Sequence, residues 1–341
     1  MTLADRTKAI LESVIKDYIE TAEPVGSRSV VKKYNLKISA ATVRNEMADL
    51  EEMGYLEQPH TSSGRVPSQI GYRYFVDSLM EKENLTDEEL ELLKRIFSEN
   101  INGWGEIVEK VGHFMAQLTN YTSFVVLPAV RIDEFKHLQI IPVGEDEAIV
   151  VIVTDLGLIM HRKLKIPVSV TPEELYSISQ VFNKAFTNKN FRKINRTDLD
   201  YVRDNLRQKR NMIDKVINTI DHLLTDTNED RVIISGALNM LNEPEFQDID
   251  KLKSILTILK EDGILKDILP TNVTDEVDIK IGSENVAEEI KEMSIVMTGF
   301  KTLGQVGKIG VIGPVRMEYW KAAGTVESLG EIIEDLIKER F

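Results

Sequence analysis

Residues 39–54 read "SAATVRNEMADLEEMG", and their order separates two kinds of side chain. Ala41, Thr42, Arg44 and Asn45 come first, with Arg44 the sole charge among residues 39–45. The carboxylates of Glu46, Asp49, Glu51 and Glu52 follow. The leading types suit a duplex groove. A guanidinium pairs bidentately with guanine, an asparagine amide pairs with adenine, and Ala or Thr packs on a thymine methyl. A helix N-terminus adds free N–H groups and partial positive charge, which suit phosphate. The half that would meet phosphate is thus clear of carboxylates. A second group, His60, Thr61, Ser62, Ser63, Gly64 and Arg65, offers hydroxyls and amides for a sugar-phosphate backbone. An arginine at a hairpin tip can enter a minor groove. Arg28, Lys32 and Lys33 can hold neighbouring phosphates.

These side chains need a scaffold, and the flanking pattern supplies one. Residues 8–19, "KAILESVIKDYI", carry apolar side chains at 10, 11, 14, 15, 18 and 19, a helical stripe. Pro24 and Gly26 end that helix. "SRSVVKKY" predicts a short second helix with Val30, Val31 and Tyr34 inward. Ser39 is the expected N-cap of the third, with Val43, Met47, Leu50 and Met53 as its buried stripe and Gly54 as its stop. "YLEQPHTSSGRVPS" predicts two short strands around a Ser-Ser-Gly-Arg turn. Three helices and a hairpin make a winged helix-turn-helix. The rival use of that fold is a protein-contact module whose charges are merely solvated; charge order and wing together favour DNA.

Beyond residue 69 a helix continues from "GYRYFVDSLM", and Thr86…Glu89 opens an acidic amphipathic connector with a capping-box pattern. "NGWG" at 102–105 marks a boundary. A helix at 106–118 precedes four β-rich runs, "SFVVLP", "FKHLQIIPV", "EAIVVIVTD" and "GLIMHRKLKIP", expected as an antiparallel meander. Residues 171–224 are strongly helical, opening on Thr171, Pro172 and Glu174. β-rich runs resume at "RVIISGA", and the helix "ESLGEIIEDLIKERF" closes the chain. A helical block between β-rich blocks suggests an insertion into an α/β sensor-like domain.

Length, charge and composition narrow the function classes. The 341 residues suffice for two or three domains. Net charge is -14, but residues 24–73 hold seven basic and five acidic side chains, so one short segment is locally basic in an acidic protein. Cysteine is absent, which removes disulfides, zinc ribbons and thiol nucleophiles and fits a reducing cytosol. The start, "MTLADRTKAI", has no signal-peptide h-region, and no apolar run is long enough to span a membrane. A cytoplasmic location is expected, on the nucleoid when DNA is bound.

Signals for other chemistry are weak. "GQVGKIGVIGP" fits neither dinucleotide nor phosphate-loop spacing, and its glycines read as tight turns beside strands. The histidines at 60, 113, 137, 161 and 222 have no partner three or four residues away, so no metal is expected. Ser235-Gly236 lacks the G-x-S-x-G frame. No cofactor and no catalytic residue is expected. Two rival readings remain: a metabolite-responsive regulator with an effector pocket in the sensor-like domain, and an enzyme with a winged-helix appendage, for which the sequence places no paired carboxylates or nucleophile–base pair in a common cleft.

"SAATVRNEMADLEEMGYLEQPHTSSGRVP" resembles the N-terminal region of the heat-inducible transcription repressor family HrcA, and "GKIGVIGPVRMEYWKAAGTVE" resembles that family's sensor-like domain. The resemblance runs along essentially the whole chain. It implies an α+β multidomain protein: a winged-helix DNA-binding domain at 1–80 and a helical linker at 81–104. A GAF-like domain at 105–164 and 226–341 follows, with an inserted dimerisation domain at 165–225. It further implies a homodimeric bacterial repressor of chaperone operons that binds a double-stranded inverted-repeat operator and is kept active by the chaperonin GroEL. It assigns Ser39 to Asn45 and His60 to Arg65 to recognition helix and wing.

Overall fold

The computed structural model describes the chain except residues 1–2, 36, 61–62, 99–103, 129–133, 155–158, 188, 191–193, 195, 206–211, 221–230, 261–268, 270–273, 275, 303–304 and 341. Two compact units result. One comprises Met1–Val126, Val232–Lys301 and Val306–Leu336, the other Leu127–Arg231 with Thr302–Gln305 and Ile337–Phe341.

The first unit begins with α1 (Asp5–Thr21), α2 (Ser27–Lys33) and α3 (Ala40–Glu52), then β1 (Leu56–Glu57), β2 (Val66–Pro67) and α4 (Gln69–Ser78). The apolar stripe of α1 is buried at Ile10, Leu11, Val14, Ile15 and Ile19, and α1 packs on α2 and α3, whose Val30, Val43, Met47 and Leu50 are buried too. Met53, expected inside, is 50% exposed because it is the C-cap residue of α3 and the helix has already turned away from the core. Gly54 follows in the left-handed region at φ 81° and ends the helix. Leu56 pairs with Pro67 and Glu57 with Val66, an antiparallel hairpin.

Farther along come α5 (Asp87–Ser98), with the Thr86 and Glu89 cap bonds expected of it, and α6 (Trp104–Thr119). A five-stranded sheet follows, ordered β8-β3-β11-β10-β9: β3 Thr122–Leu127, β8 Arg231–Ser235, β9 Asp278–Ile281, β10 Met293–Thr302 and β11 Gln305–Pro314. Phe124, Val126, Met293, Ile295, Met297 and Ile312 face a core shared with Met240, Phe246 and the helix α10 (Ile249–Lys260). The opposite face meets α6, where Ser123 Oγ donates to the Gly112 carbonyl at 2.6 Å. It also meets α11 (Tyr319–Arg340), whose Gly330 lies against Thr298 and Ile309. Helices on both faces explain why β3 and β10 are buried at nearly every position.

Two expectations differ here. The run "SFVVLP" does not join the following meander; as β3 it pairs antiparallel with β11, Phe124 opposite Gly310. The glycines of β11 are not turns. Gly307, Gly310 and Gly313 lie within the strand, where added Cβ atoms would fall 2.3 Å from Phe300, 2.4 Å from the Val296 carbonyl and 2.8 Å from Tyr121. Their missing side chains make room for aromatic rings.

The second unit holds β4 (Glu134–Pro142), β5 (Glu147–Thr154), β6 (Ile159–Lys165) and β7 (Lys189–Asn190), in the order β6-β5-β4-β7, with α7 (Pro172–Phe186), α8 (Arg196–Asn205) and a helix α9 at 212–220. Thr171 and Glu174 close the expected capping box on α7. Alternate residues of β5 are buried, and Ala148, Val150 and Ile152 share a core with Leu175, Ile178, Phe182, Phe186 and Ile213. Strands and helices therefore pack as one body from residue 127, whereas the family resemblance starts the inserted domain at 165. The physical reason is that one face of the β4–β6 meander is the surface on which α7 lies.

Candidate nucleic-acid interface

The cap of α3 forms as the sequence requires: Thr42 N donates to Ser39 Oγ at 3.1 Å, and the two hydroxyls lie 2.9 Å apart. Ser39, Ala41, Arg44 and Asn45 are exposed and Thr42 is half-buried. Arg44 and Asn45 make no ion pair with the described residues. Lys37, just before the cap and exposed, adds positive charge at the same end. Sequence reading passes over it, although its position before a helix N-terminus is the signal.

The carboxylates of α3 have different fates. Glu46 is buried against α1, where it accepts from Thr7 Oγ1 at 2.7 Å and from Arg6 Nε at 2.8 Å. Glu51 pairs with Arg65 Nη2 at 2.7 Å. Asp49 and Glu52 lie on the C-terminal half, both exposed. The exposed negative charge of α3 is thereby confined to the end away from its cap.

The hairpin corrects one expectation outright. Arg65 is not at the tip. It stands at the base, with its backbone bridging Val25 (2.8 and 2.9 Å) and its side chain drawn onto Glu51. Gly64 permits that approach: a Cβ there would fall 2.3 Å from the Val25 carbonyl. Among the described residues His60 and Ser63 are the ones nearest the turn, where Ser63 Oγ donates to the His60 carbonyl at 2.6 Å and accepts from His60 N at 3.0 Å. Thr61 and Ser62 lie outside the described residues. On α2, Arg28 and Lys32 are both exposed. Lys33 is committed to Asp17 at 2.7 Å and to Glu20, since Asp17 is buried and needs a counter-charge.

No group of three or more potential metal ligands occurs among the described residues, and no helix there is long and apolar enough to cross a membrane.

The family model described as "HrcA protein C terminal domain" matches residues 105–323. The heat-inducible transcription repressor HrcA of Pelotomaculum thermopropionicum is 39% identical over 99% of both chains. Those of Carboxydothermus hydrogenoformans and Caldanaerobacter subterraneus subsp. tengcongensis are 41% and 42% identical over at least 98% of each chain. The chain belongs to the HrcA family. A solved structure described as a hypothetical protein at 2.2 Å resolution shares the fold, with a TM-score of 0.73 at 20% identity over 99% of both chains. HrcA is a family of transcription repressors rather than a class of enzymes, and the similarity to full-length HrcA relatives takes in α1 to α4 as well as residues 105–323.

The buried Glu46 sets the roll of α3 in this HrcA-family chain, so its energetics matter to the exposed face. Its carboxyl is held below the usual carboxylate range, first by the Thr7 hydrogen bond and then by Arg6, with burial opposing. Ionised Glu46 therefore stabilises the fold above the ordinary value of 4.5, and that stability is lost as pH falls through the lower folded value. Glu46→Gln should lower stability at neutral pH by about 1–2 kcal/mol. The deficit should shrink in acid, and urea midpoints at neutral and acidic pH check this.

Proposed function

We propose that this protein represses transcription by binding, as a homodimer, an inverted-repeat operator ahead of chaperone genes. In this reading residues 1–80 act as a winged helix-turn-helix. The N-terminal face of α3 enters the major groove through Ala41, Thr42, Arg44 and Asn45. Ser39, Arg28 and the wing residues His60 to Gly64 hold backbone, and Arg65 supports the wing from its base. The five-stranded sheet with the helices on its faces serves as a GAF-like domain, and the β4–β7 sheet goes with the inserted block whose core it shares. Pairing runs through the inserted 165–225 block, so that two recognition helices fall in successive major grooves about 34 Å or a multiple apart. The bound pair blocks polymerase in the bacterial cytoplasm. Warming depletes a marginally stable dimer, and the chaperonin GroEL, by refolding it, restores the active fraction.

One observation carries this reading above the others: the N-terminal face of α3 is exposed and free of carboxylates, because Glu46 is turned inward onto Arg6 and Thr7. The rival effector-gated regulator gains no support from the open groove lined by Gln180, Asn183, Lys184 and Tyr201, which belongs to the second unit and not to the five-stranded sheet. Mobility shifts on promoter fragments of chaperone genes across a salt series test the proposal. The expected result is tight binding to the repeat that weakens steeply with salt; binding no better than to shuffled duplex contradicts it.

A further inference from the structure

The segment "GPVRMEYW", residues 313–320, takes no part in the groove-reading face, yet its Arg316, Tyr319 and Trp320 contact α1 and α4 within the first unit. The Arg316 side chain is only 12% exposed. It donates from Nη1 to the Ile19 carbonyl in the last turn of α1 at 2.6 Å, from Nε to Glu245 at 2.8 Å and from Nη2 to Glu243 at 2.8 Å. Beside it, Tyr319 packs on Tyr72 of α4 at 5.9 Å between ring centroids, and Trp320 meets Phe75 edge-on at 6.0 Å. Lys16 of α1 sits over the Trp320 ring at 5.8 Å. A guanidinium with three fixed partners constrains angle as well as distance, which apolar contact alone does not. From Ile19 the constraint reaches α3, because Arg6 and Thr7 at the other end of α1 hold Glu46.

We propose that Arg316 is a positioning residue for operator binding. By tying the last turn of α1 to the 243–245 turn, it sets the angle at which α3 is presented and hence the half-site spacing that two paired chains accept. The inference rests on the dimeric-operator reading above and adds a residue far from the groove to it.

The test uses the full-length chain carrying Arg316→Met on three duplexes: the inverted repeat, a single half-site, and the repeat with its spacer lengthened by one or two base pairs. The variant should bind the half-site within about twofold of wild type and the repeat at least about tenfold more weakly. It should also lose the wild-type preference for one spacing. Arg316→Lys, which keeps the charge without the fork, should fall between. Unchanged repeat affinity and spacing preference overturn the proposal. So does an equal loss on half-site and repeat, which makes Arg316 merely structural, and so does tighter binding, which makes the contact an inhibitory clamp. Glu245→Gln gives the same comparison should Arg316→Met fail to fold. A wild-type chain with no preference for the repeat overturns the dimeric reading and this inference together; a wild-type preference with unaltered variants overturns this inference alone.

Discussion

Arg44→Ala should weaken binding to the cognate operator by about 1–3 kcal/mol, roughly five- to 150-fold, and leave binding to random duplex nearly unchanged. Arg44 is exposed on the first turns of α3 and makes no ion pair with the described residues. Its removal therefore leaves the fold intact, and the loss is that of a base contact. A groove-edge arginine discriminates by bidentate bonds to one base pair, so the loss should vanish when that base pair is changed. A uniform loss across all sequences, with a smaller salt slope, would make Arg44 a phosphate clamp instead. Titrations on cognate, single-substituted and random duplexes separate the two outcomes.

Phe182→Ala should cost the second unit about 3–5 kcal/mol, the range for emptying a buried aromatic site. Phe182 is fully buried on α7 and meets Phe186 at 5.5 Å, and Phe186 in turn meets Phe135 of β4 at 5.8 Å. The cavity would open where α7 lies on the β4–β5 sheet. Urea unfolding combined with hydrogen exchange at α7 and β5 measures it, and a loss under about 1 kcal/mol contradicts the packing described. If the inserted block pairs two chains, the same variant should lose affinity for the full repeat and keep it for a half-site.

How far these features can be read from sequence depends on the distance over which each is decided. The stripes of α1 and α3, the Ser39 cap and the Thr171 box rest on neighbours within a few residues, and each forms as its local pattern predicts, Met53 apart. Glu46 reads as one more surface acid because its partners, Arg6 and Thr7, lie about forty positions earlier. Arg65 reads as a tip residue because the turn residues suggest a symmetric hairpin; its bridge to Val25 and its pairing with Glu51 are tertiary. Lys33 reads as a phosphate ligand, since nothing local shows that Asp17 is buried. The strand β3 cannot be assigned to its sheet from sequence, because "SFVVLP" and "AIVVIV" are equally apolar runs, although only the former is covered on both faces. The β11 glycines read as punctuation because the rings that need the space, Phe124, Phe300 and Tyr121, come from other segments.

The most direct measurement is a hydroxyl-radical footprint of the wild-type chain on an inverted repeat from a chaperone-gene promoter, run beside an Arg44→Ala, Asn45→Ala double variant. Two protected patches about 34 Å or a multiple apart, both lost in the variant, are the predicted result. Protection that survives the double substitution, or none at low ionic strength, contradicts the placement of α3 in the groove.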